Sequence, residues 1–147
     1  GVMQKEHVLA EWTRARKALR AASILLEDGL FEDAVSRSYY AVMHAAKSAL
    51  LAQDTIAESH AAVRRLFGAV LVRSGPIEKE WAAIFAREQD QRIVADYDVE
   101  VEWEEEAVQH LVEDSRSFVQ RIGDYLTDVT IQFCSGVTTR SFFGLRC

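Results

Sequence analysis

Apolar side chains recur at steps of three and four residues along most of this chain, the spacing that places them on one face of an α-helix. The pattern predicts five helices, over about residues 4–27, 31–53, 59–73, 77–92 and 104–126. Gly29 ends the first helix, and "SGP" at 74–76 separates the third from the fourth, because Gly favours helix ends and Pro favours helix starts. We therefore predict an all-α, up-and-down bundle of four to five helices over residues 1–126.

The second helix carries small residues along one face, namely Ala34, Ser38, Ala41, Ala45 and Ala49. Small side chains allow neighbouring helices to approach closely, so this helix is predicted to lie at the centre of the bundle. Tyr39, Tyr40 and Met43 on the same helix fit ordinary packing at the core and its rim.

The segment after residue 97 alternates acidic and apolar residues, which predicts a short extended connector. Glu104, Glu105 and Glu106 then fall in the first turn of the last helix, where negative charge complements the helix dipole. The acidic run therefore has a structural explanation that needs no metal ion. From Thr127 onward the composition becomes β-branched and aromatic. We treat residues 127–147 as a C-terminal tail, which could be a disordered extension, a small strand or a segment that docks on another subunit.

Length and charge narrow the class of protein. A chain of 147 residues has the size of one domain. A net charge of -6 argues against nucleic-acid binding through bulk charge, although a local basic patch stays open. Cys134 and Cys147 have no His at metal-ligand spacing, and no cofactor, metal site or disulfide is predicted. Apolar runs fall well short of the roughly 20 residues of a membrane span, so we expect a soluble cytoplasmic protein.

Three stretches of the chain, taken in order, carry a resemblance to a known family. They are "SRSYYAVMHAAKSALL", "SHAAVRRLFGAVLVRSG" and "RIVADYD". The order resembles the HEPN superfamily, and within it the small stand-alone prokaryotic branch with an Arg-x-x-x-Asp-Tyr signature. The resemblance covers residues 5–126 and leaves out the tail.

The resemblance implies a helical bundle that forms a homodimer and works in a toxin–antitoxin or defence system. It also implies RNA or a nucleotide as ligand, and often a minimal nucleotidyltransferase as partner. Many members of the superfamily are metal-independent ribonucleases in which an Arg is followed, after four to six residues, by a His. There the His moves a proton at the ribose 2′-OH or the leaving oxygen, and the Arg stabilises the charge of the phosphorane.

Arg92 takes the family's arginine position, but Asp96, Tyr97 and Asp98 stand where the His is expected. An ordinary Asp titrates near about pH 4 and a Tyr near about pH 10, so neither is well suited to proton transfer at neutral pH. Arg92 and Asp96 are four residues apart, which also fits a salt bridge at a helix end. The departure from the motif leaves catalysis open.

Two histidines remain as candidates for proton transfer. Arg37 and His44 have the family's spacing and share a helix face, but they lie in the second helix, where His44 also fits bundle packing. His60 fits a cap or a surface position before the third helix. The predicted site consists of catalytic Arg92 and His44 with binding residues Arg37, Tyr40, His60, Asp96 and Tyr97. If these side chains converge on one cleft, they form an anion-binding pocket with a titratable base.

Three functions follow from this reading. The favoured one is a module that binds RNA, a nucleotide or a partner nucleotidyltransferase, in which Tyr97 could accept a nucleotidyl group. The alternative is a metal-independent ribonuclease toxin that uses Arg92 with His44 or His60. The third is a purely structural helical dimer. The missing signature His favours the first.

Overall fold

A computed structural model describes residues 2–133 of the chain, with side chains described for residues 5–130. These residues form five α-helices, α1 (Val2–Glu27), α2 (Phe31–Ala52), α3 (His60–Leu66), α4 (Lys79–Tyr97) and α5 (Glu105–Phe133), and a π-helical segment (Phe67–Val72) that continues α3. Residues 2–133 contain no strand. The predicted all-α helical bundle is confirmed.

Local hydrogen bonds explain where two of the helices begin and end. Gly29 has a φ of 75°, in the left-handed region that Gly adopts without steric cost. Its N–H donates to the Leu26 carbonyl at 3.1 Å, and the next N–H, of Leu30, donates to the Leu25 carbonyl at 2.9 Å. This pair of bonds is the Schellman arrangement that closes a helix, so α1 ends where the sequence predicts. Ser59 caps α3, because its Oγ accepts from the backbone N–H of Ala62 at 3.0 Å.

Helix α2 lies at the centre of the bundle, as its small residues predict. It packs against α1, α3, α4, α5 and the π-helical segment. All five small residues of the predicted face are fully buried, namely Ala34, Ser38, Ala41, Ala45 and Ala49. Because these positions are fully buried, a larger side chain there would overpack the core.

Aromatic rings fill the space between the π-helical segment, α4 and α5. Phe67, Phe85 and Phe118 are all buried, and their ring centroids lie 5.4 to 6.0 Å apart in tilted and edge-on arrangements. Edge-on contacts of this kind add to the stability gained from burial alone. The cluster holds α4 against the bundle, although the apolar pattern of α4 is weak.

A polar group interrupts the core beside α2. Glu88 of α4 is fully buried, and both of its carboxyl oxygens lie 3.2 Å from the Oγ of Ser38. The Ser38 Oγ also lies 3.0 Å from the Leu111 carbonyl, and Ser115 donates to the Ser38 carbonyl at 2.9 Å. Burial raises the pKa of Glu88 to about 8. A neutral Glu88 can donate its proton to Ser38, whose single hydrogen then goes to Leu111.

The boundaries of two helices differ from the sequence-based prediction. Helix α4 begins at Lys79 rather than near residue 77, and it runs five residues beyond Arg92, to Tyr97, so that Arg92 and Asp96 pair across its last turns. Helix α5 continues past Leu126 to Phe133, and Val129 packs against the core there. The first residues of the predicted tail are therefore helical, and 134–147 lie outside the described residues. Residues 98–104 form a non-helical connector.

Within residues 2–133, no helix is both long enough and apolar enough to cross a membrane.

Candidate anion-binding site around Arg92

Arg92 lies against two consecutive tyrosines of α2. Its Cζ is 5.4 Å from the ring centroid of Tyr39 and 5.7 Å from that of Tyr40, distances at which a cation is attracted by an aromatic ring. Its Nη2 donates to the hydroxyl of Tyr40 at 3.3 Å. Burial disfavours the charge, but Tyr40, Asp96 and Tyr39 together raise the pKa of Arg92 above its ordinary value. The guanidinium is therefore a permanent positive charge in a defined position.

Asp96 sits beside that charge. Its Oδ2 lies 2.8 Å from the Nε of Arg92, and its Oδ1 accepts from the Ser36 hydroxyl at 2.7 Å. The salt bridge considered from the sequence spacing is present. The Nε–H of Arg92 is buried and makes no directed hydrogen bond, so the pair is held by charge and distance rather than by N–H alignment.

The guanidinium of Arg37 also lies near the ring of Tyr40. Its Cζ lies 5.8 Å from the ring centroid of Tyr40. Arg37 belongs to α2, three residues before Tyr40, so the helical repeat places the two side chains on one face. Two arginines, from α2 and α4, therefore converge on one ring.

Both predicted histidines border the ring of Tyr40. Its centroid lies 6.0 Å from that of His60 in an edge-on contact, and 6.4 Å from that of His44. His60 also approaches Tyr39, at 5.7 Å. Burial is the largest cause that lowers the pKa of His60, followed by the charge of Arg92, that of His44 when it is protonated, and that of Lys47. The surroundings therefore favour the neutral form of His60.

His44 is joined to α1 through Glu11, a residue that sequence spacing did not single out. The Nδ1 of His44 lies 2.6 Å from Oε2 of Glu11, and the Nζ of Lys47 lies 3.5 Å from Oε1. Burial opposes ionisation of the carboxyl, but the hydrogen bond with His44 and the charge of Lys47 outweigh it and lower the pKa of Glu11. Glu11 is therefore a carboxylate at neutral pH.

Tyr97 is the one predicted site residue that the structure leaves apart. It is 77% exposed, and no hydrogen bond, ion pair or ring contact within the described part of the chain joins it to the other candidates. The remaining six converge around Tyr40, namely Arg37, Tyr40, His44, His60, Arg92 and Asp96. Their shared face forms what we call the Arg92 site.

Three contributors to the Arg92 site were not predicted from the sequence. Tyr39 was assigned only to packing, although Arg92 lies over its ring. Ser36 and Glu11 drew no attention, because nothing in the local sequence connects them with Asp96 or His44. A carboxylate at the start of the otherwise basic "EWTRARKALR" is the only signal for Glu11 in the sequence.

The fold and the Arg92 site together define a small all-α bundle with a polar, arginine-centred surface on its central helix. A model of the HEPN domain family matches residues 9–125 of the chain. The chain belongs to the HEPN family, and the predicted membership is confirmed. The match leaves the Arg-x-x-x-Asp-Tyr signature of the predicted branch untested.

Three similar proteins are informative. The protein named "Putative toxin MJ0605" of Methanocaldococcus jannaschii is 36% identical over 125 residues, which cover 85% of this chain and 92% of the relative. A UPF0332 protein of Thermotoga maritima is 31% identical over 127 residues, or 86% of this chain and 96% of the relative. "Putative toxin MJ0142", also of M. jannaschii, is 25% identical over 118 residues and 80% of each chain.

Proposed function

We propose that this chain is the HEPN member of a toxin–antitoxin or defence pair and that it binds the phosphate groups of RNA or of a nucleotide at the Arg92 site. Two similar proteins carry "toxin" in their names, and they align over most of the chain. The family membership supports the same context.

The convergence of Arg37 and Arg92 on Tyr40 carries this proposal. Guanidinium groups bind phosphate through paired N–H donors, and a planar donor set that is already held in place loses little entropy on binding. The guanidinium of Arg92 packs on the rings of Tyr39 and Tyr40, while the side chain of Arg37 is exposed. The overall charge of -6 does not prevent this, because phosphate recognition depends on the local field.

A partner enzyme that transfers a nucleotidyl group is part of the same proposal. The phenol of Tyr97 is largely exposed, so an enzyme can reach it. Intact-mass analysis of the chain after co-expression with its neighbouring reading frames tests this part. A gain of one nucleotidyl group that Tyr97→Phe abolishes supports it, and modification that persists in Tyr97→Phe contradicts it.

A metal-independent ribonuclease is the second candidate, and one observation favours it. His44 and His60 reach the ring of Tyr40 from α2 and α3, so imidazoles stand near Arg92 although none follows it in sequence. A homodimer, which the family resemblance implies, would bring two Arg92 sites into one complex.

Binding to a fluorescently labelled single-stranded RNA and to ATP, measured in EDTA, tests the main proposal. Loss of a hydrogen bond to a charged group costs about 1.5–3 kcal/mol, so Arg92→Ala should weaken binding by about 10- to 100-fold. The slope of log binding constant against log salt concentration should also become shallower by about one, because one phosphate contact is lost. Arg87→Ala is the matched control, because Arg87 is on α4 and pairs with Asp114 at 2.9 Å, apart from the site. Equal binding by wild type and Arg92→Ala would sink the proposal.

A further inference from the structure

We infer that Glu11 positions His44 as the proton acceptor of the Arg92 site. This inference rests on the proposed function in its ribonuclease form. It assigns a role to a residue of α1 and to a histidine of α2, both far in sequence from Arg92.

The carboxylate of Glu11 is held by two residues of α2. His44 Nδ1 contacts one oxygen at 2.6 Å and Lys47 Nζ contacts the other at 3.5 Å. His44 and Lys47 are three residues apart and therefore neighbours on one helix face. The side chains of His44 and Glu11 are only 19% and 21% exposed, so the contact is shielded from competing water. The carboxylate thus has one orientation.

This contact fixes which nitrogen of His44 carries the proton. An ionised carboxylate only accepts hydrogen bonds, so Nδ1 must donate. A neutral His44 then has its lone pair on Nε2. Within the described residues, no hydrogen bond uses that Nε2. Orientation of a histidine by a carboxylate on its other nitrogen is the arrangement that supports general-base catalysis.

His44 shares its helix face with the phosphate-binding groups. Arg37, Tyr40, His44 and Lys47 succeed one another on α2 at steps of three and four residues, and Tyr40 accepts the hydrogen bond of Arg92. A phosphodiester bound by Arg37 and Arg92 would therefore lie along the row that contains His44. The charged and titratable groups around His44 are Glu11 from α1, Tyr40 and Lys47 from α2, His60 from α3 and Arg92 from α4.

The chemical step balances without a co-reactant. The 2′-OH of RNA gives its proton to Nε2 of His44 while its oxygen bonds to phosphorus. The bond from phosphorus to the 5′ oxygen breaks, and that oxygen takes a proton from water. The imidazolium returns its proton to the hydroxide so formed, leaving a 2′,3′-cyclic phosphate and a 5′-OH. Arg92 stabilises the phosphorane charge, and Glu11 stabilises the imidazolium.

Two substitutions of Glu11 separate orientation from charge. Glu11→Gln keeps an oxygen that can accept from Nδ1 but removes the negative charge. RNA cleavage in EDTA should fall about tenfold or more, a loss within the usual range of general-base catalysis. Glu11→Ala removes the acceptor, so nitrogen NMR of neutral His44 should show both tautomers where wild type shows Nδ1–H alone. Glu6→Gln, exposed on the same helix, is the control.

RNA affinity measured in parallel keeps the possible failures distinct. The inference is supported if Glu11→Gln loses cleavage with its RNA affinity within about twofold of wild type, since only the positioning of a base is changed. It is overturned if Glu11→Gln cleaves like wild type, or if wild-type His44 populates both tautomers. Arg92-dependent binding without any cleavage overturns this inference alone, whereas wild type that does not bind RNA or ATP overturns the proposed function itself. Because Glu11→Gln is isosteric, the result does not depend on whether Glu11→Ala folds.

Discussion

The carboxyl of Glu88 lies 3.2 Å from the Oγ of Ser38, and neither residue has contact with solvent. This relationship joins α4 to the central helix one turn before Arg92. It also places an ionisable group where its charge would have no counter-charge in contact. Asp114 nearby disfavours ionisation further, and Arg87 only partly offsets this. The folded protein therefore holds this carboxyl mainly as the neutral acid.

Stability should fall as the pH rises through the range in which Glu88 would ionise. The folded-state pKa of about 8 lies above the ordinary value of 4.5 for a glutamate side chain, so between these values the folded protein holds a proton that the unfolded chain releases. The cost of burying this group grows from about pH 4.5 and levels off above about pH 8, on the order of 5 kcal/mol in total. Urea unfolding at pH 5.5, 7 and 8.5 measures it.

The matched variants for that measurement are Glu88→Gln and Glu58→Gln. Glu88→Gln should remove most of the decline and unfold at higher urea concentration than wild type at pH 8. Glu58 is exposed in the connector before α3, so Glu58→Gln should follow wild type at every pH. A decline that is equally steep in Glu88→Gln would show that another group causes it.

Removal of the carboxylate beside Arg92 should strengthen phosphate binding. The Oδ2 of Asp96 lies 2.8 Å from the Nε of Arg92, so this carboxylate competes with an incoming anion for the guanidinium. Ion pairs at the protein surface are worth about 0.2–1 kcal/mol, and this pair is partly buried, so Asp96→Asn should tighten RNA binding by about fivefold. Asp90→Asn, on the same helix, is the control for general charge. If Asp96→Asn instead weakens binding and lowers the melting temperature by several degrees, the pair has a structural role.

The hydroxyl of Tyr40 should contribute to binding without contributing much to the fold. Tyr40→Phe keeps the ring against which Arg37, Arg92 and both histidines pack, but removes the acceptor for Nη2 of Arg92. A hydrogen bond of this kind is worth about 1 kcal/mol, so RNA affinity should drop about fivefold. Tyr97→Phe should leave RNA affinity unchanged, since Tyr97 contacts none of these residues. Identical affinities for the two variants would argue against a role for Tyr40.

The close packing of α1 on α5 leads to a second prediction about the free energy of unfolding. A Cβ added at Gly123 would lie 2.8 Å from Cη2 of Trp12, whereas one added at Gly68 would meet nothing within 4 Å. Gly123→Ala should therefore destabilise the protein by about 1–3 kcal/mol, the usual cost of overpacking. Gly68→Ala should change stability by less than about 0.5 kcal/mol. Chemical denaturation of both variants checks this, and equal stabilities would mean that the Trp12 ring moves aside freely.

The sequence predicts the parts of this site that depend on one helix. Spacing places Arg37, Tyr40 and His44 on one face of α2, and a four-residue step pairs Arg92 with Asp96. The end of α1 at Gly29 and the break at residues 74–76 follow from local turn chemistry. These features need no knowledge of how the helices pack.

The parts that the sequence does not predict depend on register between helices. Glu11 meets His44 because α1 and α2 align with those residues opposite each other, and no local pattern fixes that alignment. Glu88 lies in a helix whose pattern is mostly polar, so its full burial follows only from where α4 docks. The extension of α5 past Leu126 was missed because the apolar stripe thins there, although Val129 still packs.

Helix α2 combines two demands in 22 residues. One side of it must stay small so that its neighbours can approach, and the other side carries the groups gathered around Tyr40. Few of its positions can therefore change without loss of folding or function. In a saturation mutagenesis library, substitutions along the whole of α2 should be poorly tolerated, while the outer faces of α1 and α5 accept most changes. A helix this constrained would keep its sequence longest as related chains diverge.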